Sequence, residues 1–229
     1  MVDVAANIAR LQERIAAAAR RSGRRPEEIT LVAVTKTIPL ERIQEAIKAG
    51  IRELGENRVQ ELLAKQPLIS GANWHFIGHL QRNKARQVVD KVTMIHSVDN
   101  LELARALDRR ATAAGRRVDI LLEVNVAGEE SKFGLVPAAV IPFIREVAGL
   151  SGLNIQGLMT VAPLVEDAEA VRPVFRRMAA LQRQVEELHL AGVEMRYLSM
   201  GMTNDFEVAI EEGANIVRIG TAIFGFRGK

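Results

Sequence analysis

Short β-branched or apolar runs alternate with amphipathic segments along almost the whole chain, and this alternation limits the possible folds more than any other feature. The runs, each read as a strand, are residues 29–35, 51–54, 74–77, 92–96, 118–124, 155–158, 195–198 and 215–219. Helical patterns lie between them, at residues 40–49, 59–68, 83–89, 101–114, 137–147, 168–190 and 204–212. Alternating strands and helices form parallel βαβ units, and eight units predict an α/β protein, a closed (β/α)₈ TIM-like barrel.

A doubly wound open sheet is the alternative arrangement of such elements. Sheets of that type bind dinucleotides at a Gly-x-Gly-x-x-Gly turn that directly follows the first strand. In this chain the first strand runs instead into Thr35-Lys36-Thr37-Ile38-Pro39, which contains no glycine. The barrel is therefore the favoured fold class.

The residues before the first strand predict an extra N-terminal helix. Apolar residues recur there at intervals of three or four, which indicates a helix with one face packed on the protein body. They are Val4, Ile8, Leu11 and Ile15. No proline- or serine-rich linker interrupts the chain, so we expect residues 1–229 to form one barrel domain.

The composition excludes several classes of function. The chain has no cysteine, which rules out disulfides, thiolate catalysis and cysteine metal sites. Its 31 basic and 28 acidic residues leave a net charge of +3, and aromatic residues make up only 4%, so no nucleic-acid partner is expected. The N-terminal segment carries Asp3 and Glu13, and no apolar run reaches transmembrane length. We expect a cytoplasmic monomer that does not bind membranes.

Lys36 is the first candidate functional residue. Functional residues of a (β/α)₈ barrel lie at the carboxyl ends of its strands, and Lys36 directly follows the apolar run 29–35. A lysine that is taken out of water loses its proton more readily, which makes its amine available for Schiff-base chemistry. A lysine in this position can equally lay its apolar stem along the barrel and keep its ammonium group in water. The sequence leaves both interpretations open.

Two segments near the C-terminus favour an anion site. Ser199-Met-Gly-Met-Thr203 follows the seventh strand, and Arg218-Ile-Gly220-Thr221 ends the eighth. The loops after these two strands are the usual phosphate position of the fold, and glycines at 201 and 220 would let the backbone approach an anion closely. Thr203 is interpreted as the cap of the helix that follows it. Serine and glycine are also common in ordinary βα loops, so the pair of segments carries the argument and neither does so alone.

Two other features of the sequence indicate no chemistry. His75 and His79 are four residues apart, but they straddle the end of a predicted strand and lack a third ligand at suitable spacing. No metal site is therefore expected. No Gly-x-Ser-x-Gly motif occurs, which gives serine-hydrolase chemistry no support.

Taken together, the motifs resemble those of a known family, the YggS-type pyridoxal phosphate homeostasis proteins. Each motif alone is weak, but they occur in the family's order over nearly the whole chain. They are Val32-Ala-Val-Thr-Lys36-Thr, Gly55-Glu-Asn57, Trp74-His-Phe-Ile-Gly-His-Leu-Gln81, Ser131-Lys132-x-Gly134, Gly157-Leu-Met159-Thr, Leu198-Ser-Met-Gly-Met-x-x-Asp205 and Val217-Arg-Ile-Gly220-Thr-x-Ile-Phe-Gly225.

The resemblance implies a barrel like the N-terminal domain of alanine racemase, with pyridoxal 5′-phosphate (PLP) bound to Lys36 as a Schiff base. It implies that Asn57 lies beside the cofactor and that Arg218 faces the pyridine nitrogen. It makes Lys132 a nearby basic residue with a role in PLP transfer. The residues that would hold the phosphate are Ser199, Gly220 and Thr221.

The function implied by the resemblance is PLP homeostasis by a carrier that is not an enzyme, with PLP-dependent apo-enzymes as candidate partners. A PLP-dependent amino-acid racemase is the first alternative. Racemization needs a base on each face of the substrate, and the one tyrosine of the chain, Tyr197, lies inside the seventh predicted strand. A lysine aldolase that uses no cofactor is the second alternative.

Overall fold

The computed structural model describes residues 2–129 and 132–225, so the motif residue Ser131 lies outside the described part. Eight parallel strands close into a barrel in chain order, with the last strand beside the first. They are β1 Thr30–Val34, β2 Glu53–Glu56, β3 Asn73–Phe76, β4 Met94–Val98, β5 Val118–Glu123, β6 Leu153–Met159, β7 Val193–Ser199 and β8 Ile216–Ile219. The prediction of a closed (β/α)₈ barrel is confirmed.

Helices cover the outside of the barrel. They are α1 Val4–Arg21, α2 Leu40–Lys48, α3 Val59–Lys65, α4 Ala85–Val88, α5 Leu101–Ala113, α6 Pro137–Val147, α7 Arg172–Glu186, α8 Phe206–Glu211 and α9 Thr221–Phe224. The N-terminal helix α1 is present as predicted, and its four predicted apolar residues are buried. None of the described helices is both long enough and apolar enough to cross a membrane.

The segment 168–190, expected as one helix, is divided. Ala168–Val171 forms a 3₁₀ turn, and α7 begins only at Arg172. Pro173 explains this boundary, because proline has no backbone N–H to donate and is tolerated in the first turn of a helix.

Strand β2 lies further along the chain than residues 51–54, where the sequence pattern placed it. The predicted run ended at Leu54, before Gly55, and glycine in general weakens a strand. In the barrel, however, a Cβ atom at Gly55 would come within 2.9 Å of side-chain atoms of Val32 and Ile77. The glycine is thus required by close packing inside the barrel, and the strand continues through it.

The alternation of side chains along a strand separates the barrel interior from the helix-covered outside. The apolar part of the interior consists of Val32, Met94, Leu121, Met159 and Ile216, against which Val161 and Tyr197 pack. Two positions after Val32 comes Val34, the last residue of β1, and two positions further comes Lys36, just beyond the strand. Both line a cavity at the carboxyl end of the barrel. The strand period therefore places Lys36 where the sequence pattern expected a functional residue.

Candidate functional site

A cavity of about 600 Å³ lies at the carboxyl ends of the strands. One wall is apolar and comes from the segment after β6, which contributes Val161, Pro163, Leu164, Val165 and Ala168. The other walls carry the polar and charged groups, which are Lys36, Asn57, Thr203, Asn204, Asp205, Arg218 and Thr221. The cavity thus combines an apolar face with polar groups that converge from several strand ends, as ligand sites do.

Five of the six predicted site residues meet in this cavity, where Gly220 lies beside the polar groups. They are Lys36, Asn57, Arg218, Gly220 and Thr221. Ser199 does not line the cavity. It is the last residue of β7, is fully buried, and still pairs with Met159 and Ile216 in the barrel.

Lys36 is partly exposed towards the cavity. Within residues 2–129 and 132–225, no hydrogen bond or ion pair engages its Nζ atom. The position after an apolar strand therefore presents a primary amine to a ligand and does not bury it in a salt bridge.

A second lysine lies behind this position. Lys65 Nζ donates to Glu56 Oε1 at 2.6 Å and to Glu61 Oε2 at 2.8 Å. Burial raises the pKa of Glu56 above its usual range even though Lys65 bonds to it. Burial also acts to raise the pKa of Glu61, but hydrogen bonds from Lys65 and Thr37 outweigh it, so that pKa lies below its usual range. We call Lys65, Glu56 and Glu61 the lysine clamp.

The lysine clamp bonds to the backbone on both sides of Lys36. Lys65 donates its third hydrogen bond to the Thr35 carbonyl at 2.7 Å, and the Thr37 backbone N–H donates to Glu61 Oε2 at 2.6 Å. Thr37 has a φ of 62°, a left-handed conformation that costs a non-glycine residue about 1 kcal/mol or more. The clamp therefore stabilises the strained turn that presents Lys36.

Asn57 follows β2, and its backbone lies in close contact with Gly78. A Cβ atom at Gly78 would collide with the backbone of Asn57, so no other residue fits there without displacing it. The Asn57 backbone N–H donates to Glu56 Oε2 at 3.3 Å, which ties it to the lysine clamp. Its side-chain Oδ1 is buried and has no hydrogen-bond partner in the described part of the chain. Such an acceptor fits a ligand that brings a donor.

Thr203 lines the cavity and was misread in the sequence as a helix cap. Helix α8 begins at Phe206 with Asp205 at its N-cap, and Asp205 Oδ1 accepts from the Met202 backbone N–H at 2.6 Å. Thr203 Oγ1 accepts instead from the Ala222 backbone N–H at 3.4 Å, which joins the loops after β7 and β8. The spacing to the acidic residues that follow suggested the cap, and the actual role needed the fold.

Gly201 is required for a different reason from the one expected. Its φ is +94°, and a Cβ atom there would come within 2.6 Å of Ala209 Cβ and 2.9 Å of Phe206 Cα. The glycine therefore permits helix α8 to pack against the loop, and this packing sets the position of Thr203.

Arg218 is almost fully buried, with its guanidinium at the floor of the cavity. Nη1 donates to Ser199 Oγ at 2.6 Å, and Nη2 donates to the Thr160 carbonyl at 2.8 Å. Burial lowers the pKa of Arg218 to about 10, while the charges of Glu123 and Asp205 act in the opposite direction. The side chain is still a cation at neutral pH.

Lys132 and Phe133 lie on a loop beside the cavity. Lys132 Nζ donates to Glu129 Oε1 at 2.6 Å and lies 3.5 Å from the carbonyl of Val161, a lining residue. Phe133 stacks on His79 with ring centroids 3.6 Å apart. Lys132 is therefore near the cavity wall without lining it.

A family model described as the alanine racemase N-terminal domain matches residues 6–228. A pyridoxal phosphate homeostasis protein of Aquifex aeolicus (strain VF5) is 43% identical over 222 residues, which cover 96% of each chain. The protein of the same name from Escherichia coli (strain K12) is 43% identical over 240 residues, covering 99% of this chain and 98% of its own. The chain belongs to the pyridoxal phosphate homeostasis family. The resemblance seen in the sequence is confirmed.

Two solved structures, one of a protein of similar length and one of a longer enzyme, are similar to this chain. PipY from Synechococcus elongatus PCC7942, in a structure with PLP bound, matches with a TM-score of 0.81 and 36% identity, covering 97% of this chain and 100% of PipY. Alanine racemase of Clostridium difficile 630 matches with a TM-score of 0.77 and 15% identity, covering 99% of this chain and 57% of the racemase. The second likeness is one of fold alone.

Proposed function

We propose that this chain binds PLP in the cavity at the carboxyl ends of its strands and acts in PLP homeostasis as a carrier, not as an enzyme. One observation carries the proposal: Lys36, whose amine has no bonded partner among the described residues, lines the same cavity as Thr203 and Thr221. The family to which the chain belongs supports the same ligand.

The cavity fits PLP in size and in hydrogen-bonding capacity. Its volume of about 600 Å³ is within the range of small-molecule sites. The buried Asn57 Oδ1 lacks a donor among the described residues, and a phenolic hydroxyl on a ligand ring would provide one. The apolar wall after β6 offers a surface for one face of an aromatic ring.

When bound, PLP supplies an aldehyde that condenses with a primary amine, together with a pyridine ring and a phosphate. Lys36 would provide the amine, and Asn57 would accept a hydrogen bond from the ring hydroxyl. Arg218 can only donate, so it would present N–H groups and a positive charge to the ring nitrogen. We assign the phosphate to Thr203 and Thr221, with Gly220 between strand and helix, because these residues line the cavity and Ser199 does not.

The same cavity supports a carrier better than a racemase. A racemase needs a second base across the substrate from its lysine. Among the described residues that line the cavity there is no histidine, tyrosine or second lysine. Tyr197 packs against the apolar interior of the barrel and is not at the cavity. A cation at the ring nitrogen also disfavours protonation of that nitrogen, which weakens the ring as an electron sink.

The finer parts of the proposal concern partners and location. We propose a single-domain cytoplasmic monomer that passes PLP to PLP-dependent apo-enzymes, with Lys132 beside the cavity wall as a participant in transfer. Its amine lies close to the Val161 carbonyl, so a small movement of this loop would bring it to the ligand.

The carrier proposal is tested by loading the purified protein with PLP and incubating it with a panel of L- and D-amino acids. Visible absorption should report binding, while chiral composition and α-proton exchange should stay unchanged over hours. Transfer of PLP to an added apo-enzyme should proceed from the loaded protein. Turnover at ordinary enzyme rates that is abolished by Lys36→Ala would show a catalyst and overturn the carrier proposal.

A further inference from the structure

A continuous hydrogen-bonded chain crosses the interior of the barrel and ends at the cavity. His75 Nε2 lies 2.8 Å from Glu53 Oε2, and His75 Nδ1 lies 2.9 Å from His96 Nε2. His96 Nδ1 in turn lies 3.0 Å from Ser199 Oγ, the atom to which Arg218 donates at 2.6 Å. Glu53 opens β2 with 25% of its side chain exposed, so the chain joins the solvent-facing amino end of the barrel to the cavity. We call these five residues the arginine chain.

We propose that Ser199, His96 and His75 are positioning residues for Arg218, and that all hydrogen bonds of the arginine chain point in one direction, from Arg218 towards Glu53. The direction follows from the donors and acceptors of the chain itself. Its consequence for ligand binding rests on the proposed function, in which Arg218 faces bound PLP.

The direction is set first at the arginine end. A guanidinium has no acceptor, so Ser199 Oγ must accept from Arg218 and can use its own hydrogen elsewhere. The only other side-chain atom bonded to this oxygen among the described residues is His96 Nδ1. His96 is fully enclosed, and burial, followed by the charges of His75 and Arg218, holds its pKa well below the usual range. The neutral ring carries a single hydrogen. Since the Ser199 hydroxyl has no other acceptor among the described residues, His96 accepts from it at Nδ1 and carries its own hydrogen on Nε2.

The glutamate end demands the same direction. Burial acts to raise the pKa of Glu53, but hydrogen bonds from His75 and Asn73 outweigh it, so the pKa lies below its usual range and the group is an acceptor. His75 donates from Nε2, and since His96 carries its hydrogen on Nε2, His75 Nδ1 accepts it. The opposite direction would leave the buried Ser199 hydroxyl hydrogen without an acceptor among the described residues, which is costly.

The chain explains how a buried cation is aimed at the cavity. Ser199 and the Thr160 carbonyl engage one N–H of each terminal nitrogen of Arg218, and both partners are uncharged. The other N–H groups of the side chain have no partner among the described residues, and Arg218 lines the cavity. Because His96 takes the Ser199 hydrogen, the lone pairs of the serine oxygen are directed to the arginine.

The direction is measured on the protein without ligand, by ring-nitrogen NMR of uniformly ¹⁵N-labelled protein at pH 8. The protein contains four histidines in all. His189 lies at an exposed position, and His189→Asn serves as an assignment control. We expect His75 and His96 both as the neutral tautomer with hydrogen on Nε2. We expect Ser199→Thr to keep the His96 signal and Ser199→Ala to shift it. Hydrogen on Nδ1 of His96, or a charged His96 ring, would overturn the proposal.

A second measurement tests the positioning role separately from the phosphate site. Ser199→Ala should weaken PLP and pyridoxal equally, by about tenfold, because each binds the same misplaced guanidinium. Ser199→Thr should restore affinity for both, and His189→Asn should leave both unchanged. Unchanged affinities in Ser199→Ala would overturn the positioning role. If neither wild type nor control bound PLP, the proposed function would fall, while the ring-nitrogen spectra would still decide the direction of the chain.

Discussion

The lysine clamp and the arginine chain are two polar assemblies beside the cavity, and they differ in how their cation is bonded. The lysine clamp is ionic, because Lys65 Nζ donates its three hydrogen bonds to Glu56, Glu61 and the Thr35 carbonyl. Among the described residues, Arg218 of the arginine chain donates to two uncharged groups, the Ser199 hydroxyl and the Thr160 carbonyl. The cation of the clamp is thus paired directly with carboxylates, whereas Arg218 forms no ion pair with the described residues.

This difference matches what each assembly positions. The clamp positions backbone, since its bonds reach the Thr35 carbonyl and the Thr37 N–H on either side of Lys36. The arginine chain positions a charge that should interact with a ligand, and an ionic partner would compete for it. Neutral partners fix the orientation of Arg218 and leave its charge available.

The largest effect should come from breaking the lysine clamp. Lys65→Met leaves Glu56 buried without its cation, and removing one partner of a buried pair typically costs about 3–5 kcal/mol. We expect a loss of this size in the free energy of unfolding, measured by urea denaturation. The double variant Lys65→Met/Glu56→Gln removes both charges and should recover part of it. A loss below about 1 kcal/mol in the single variant would show that the clamp is not an ionic device.

A smaller effect on stability should come from Glu123, whose charge acts on Arg218. Burial, with a contribution from Asp99, raises the pKa of Glu123 from 4.5 to about 7, and its Oε2 has no partner among the described residues. The folded protein therefore holds a proton that the unfolded chain releases near pH 4.5, so stability falls as pH rises from about 4.5 to 7. The full penalty, up to about 3 kcal/mol, is present above that window.

Glu123→Gln should remove this penalty. Its free energy of unfolding relative to wild type should increase between pH 5 and pH 8, as followed by urea denaturation at each pH. A difference that is independent of pH would mean that Glu123 stays ionised beside Arg218, and the arginine chain would then resemble the clamp.

The third effect separates the phosphate site from the arginine chain. Thr203→Val and Thr221→Val should each weaken PLP by about 1.5–3 kcal/mol, since a hydrogen bond to a charged group is lost. Pyridoxal, which has no phosphate, should bind nearly as well as to wild type. Spectroscopic titration with both ligands provides the measurement, and Ser199→Ala, which should affect both ligands alike, is the matched control. Equal weakening of both ligands by the threonine variants would remove them from the phosphate site.

The sequence was sufficient for the barrel and for most of the cavity. Eight alternations of strand and helix predicted closure, and the two-residue period of a strand carried Lys36 to the carboxyl end. Asn57 and Thr221 reach the cavity by their positions after strands, and Arg218 does so from within β8, one residue before its end.

What the sequence could not predict depends on contacts between distant segments. Ser199 and Thr203 both follow strand seven in the sequence, and only the barrel register shows that Ser199 still pairs with Met159 while Thr203 has reached the cavity. The bond between His96 and Ser199 joins residues 103 positions apart across the barrel, so no spacing rule could have revealed it. Lys65 was also missed, because its apolar helical pattern gave no sign of a buried ammonium group.

The proposal that the cavity holds PLP on Lys36 is tested by borohydride reduction of the PLP-loaded protein. Peptide mass mapping then identifies the lysine that carries the cofactor. We expect a pyridoxyl adduct on the peptide that contains Lys36, and its loss in Lys36→Ala with an unchanged circular dichroism spectrum. An adduct found mainly on Lys132 or Lys84 in the wild-type protein would contradict it.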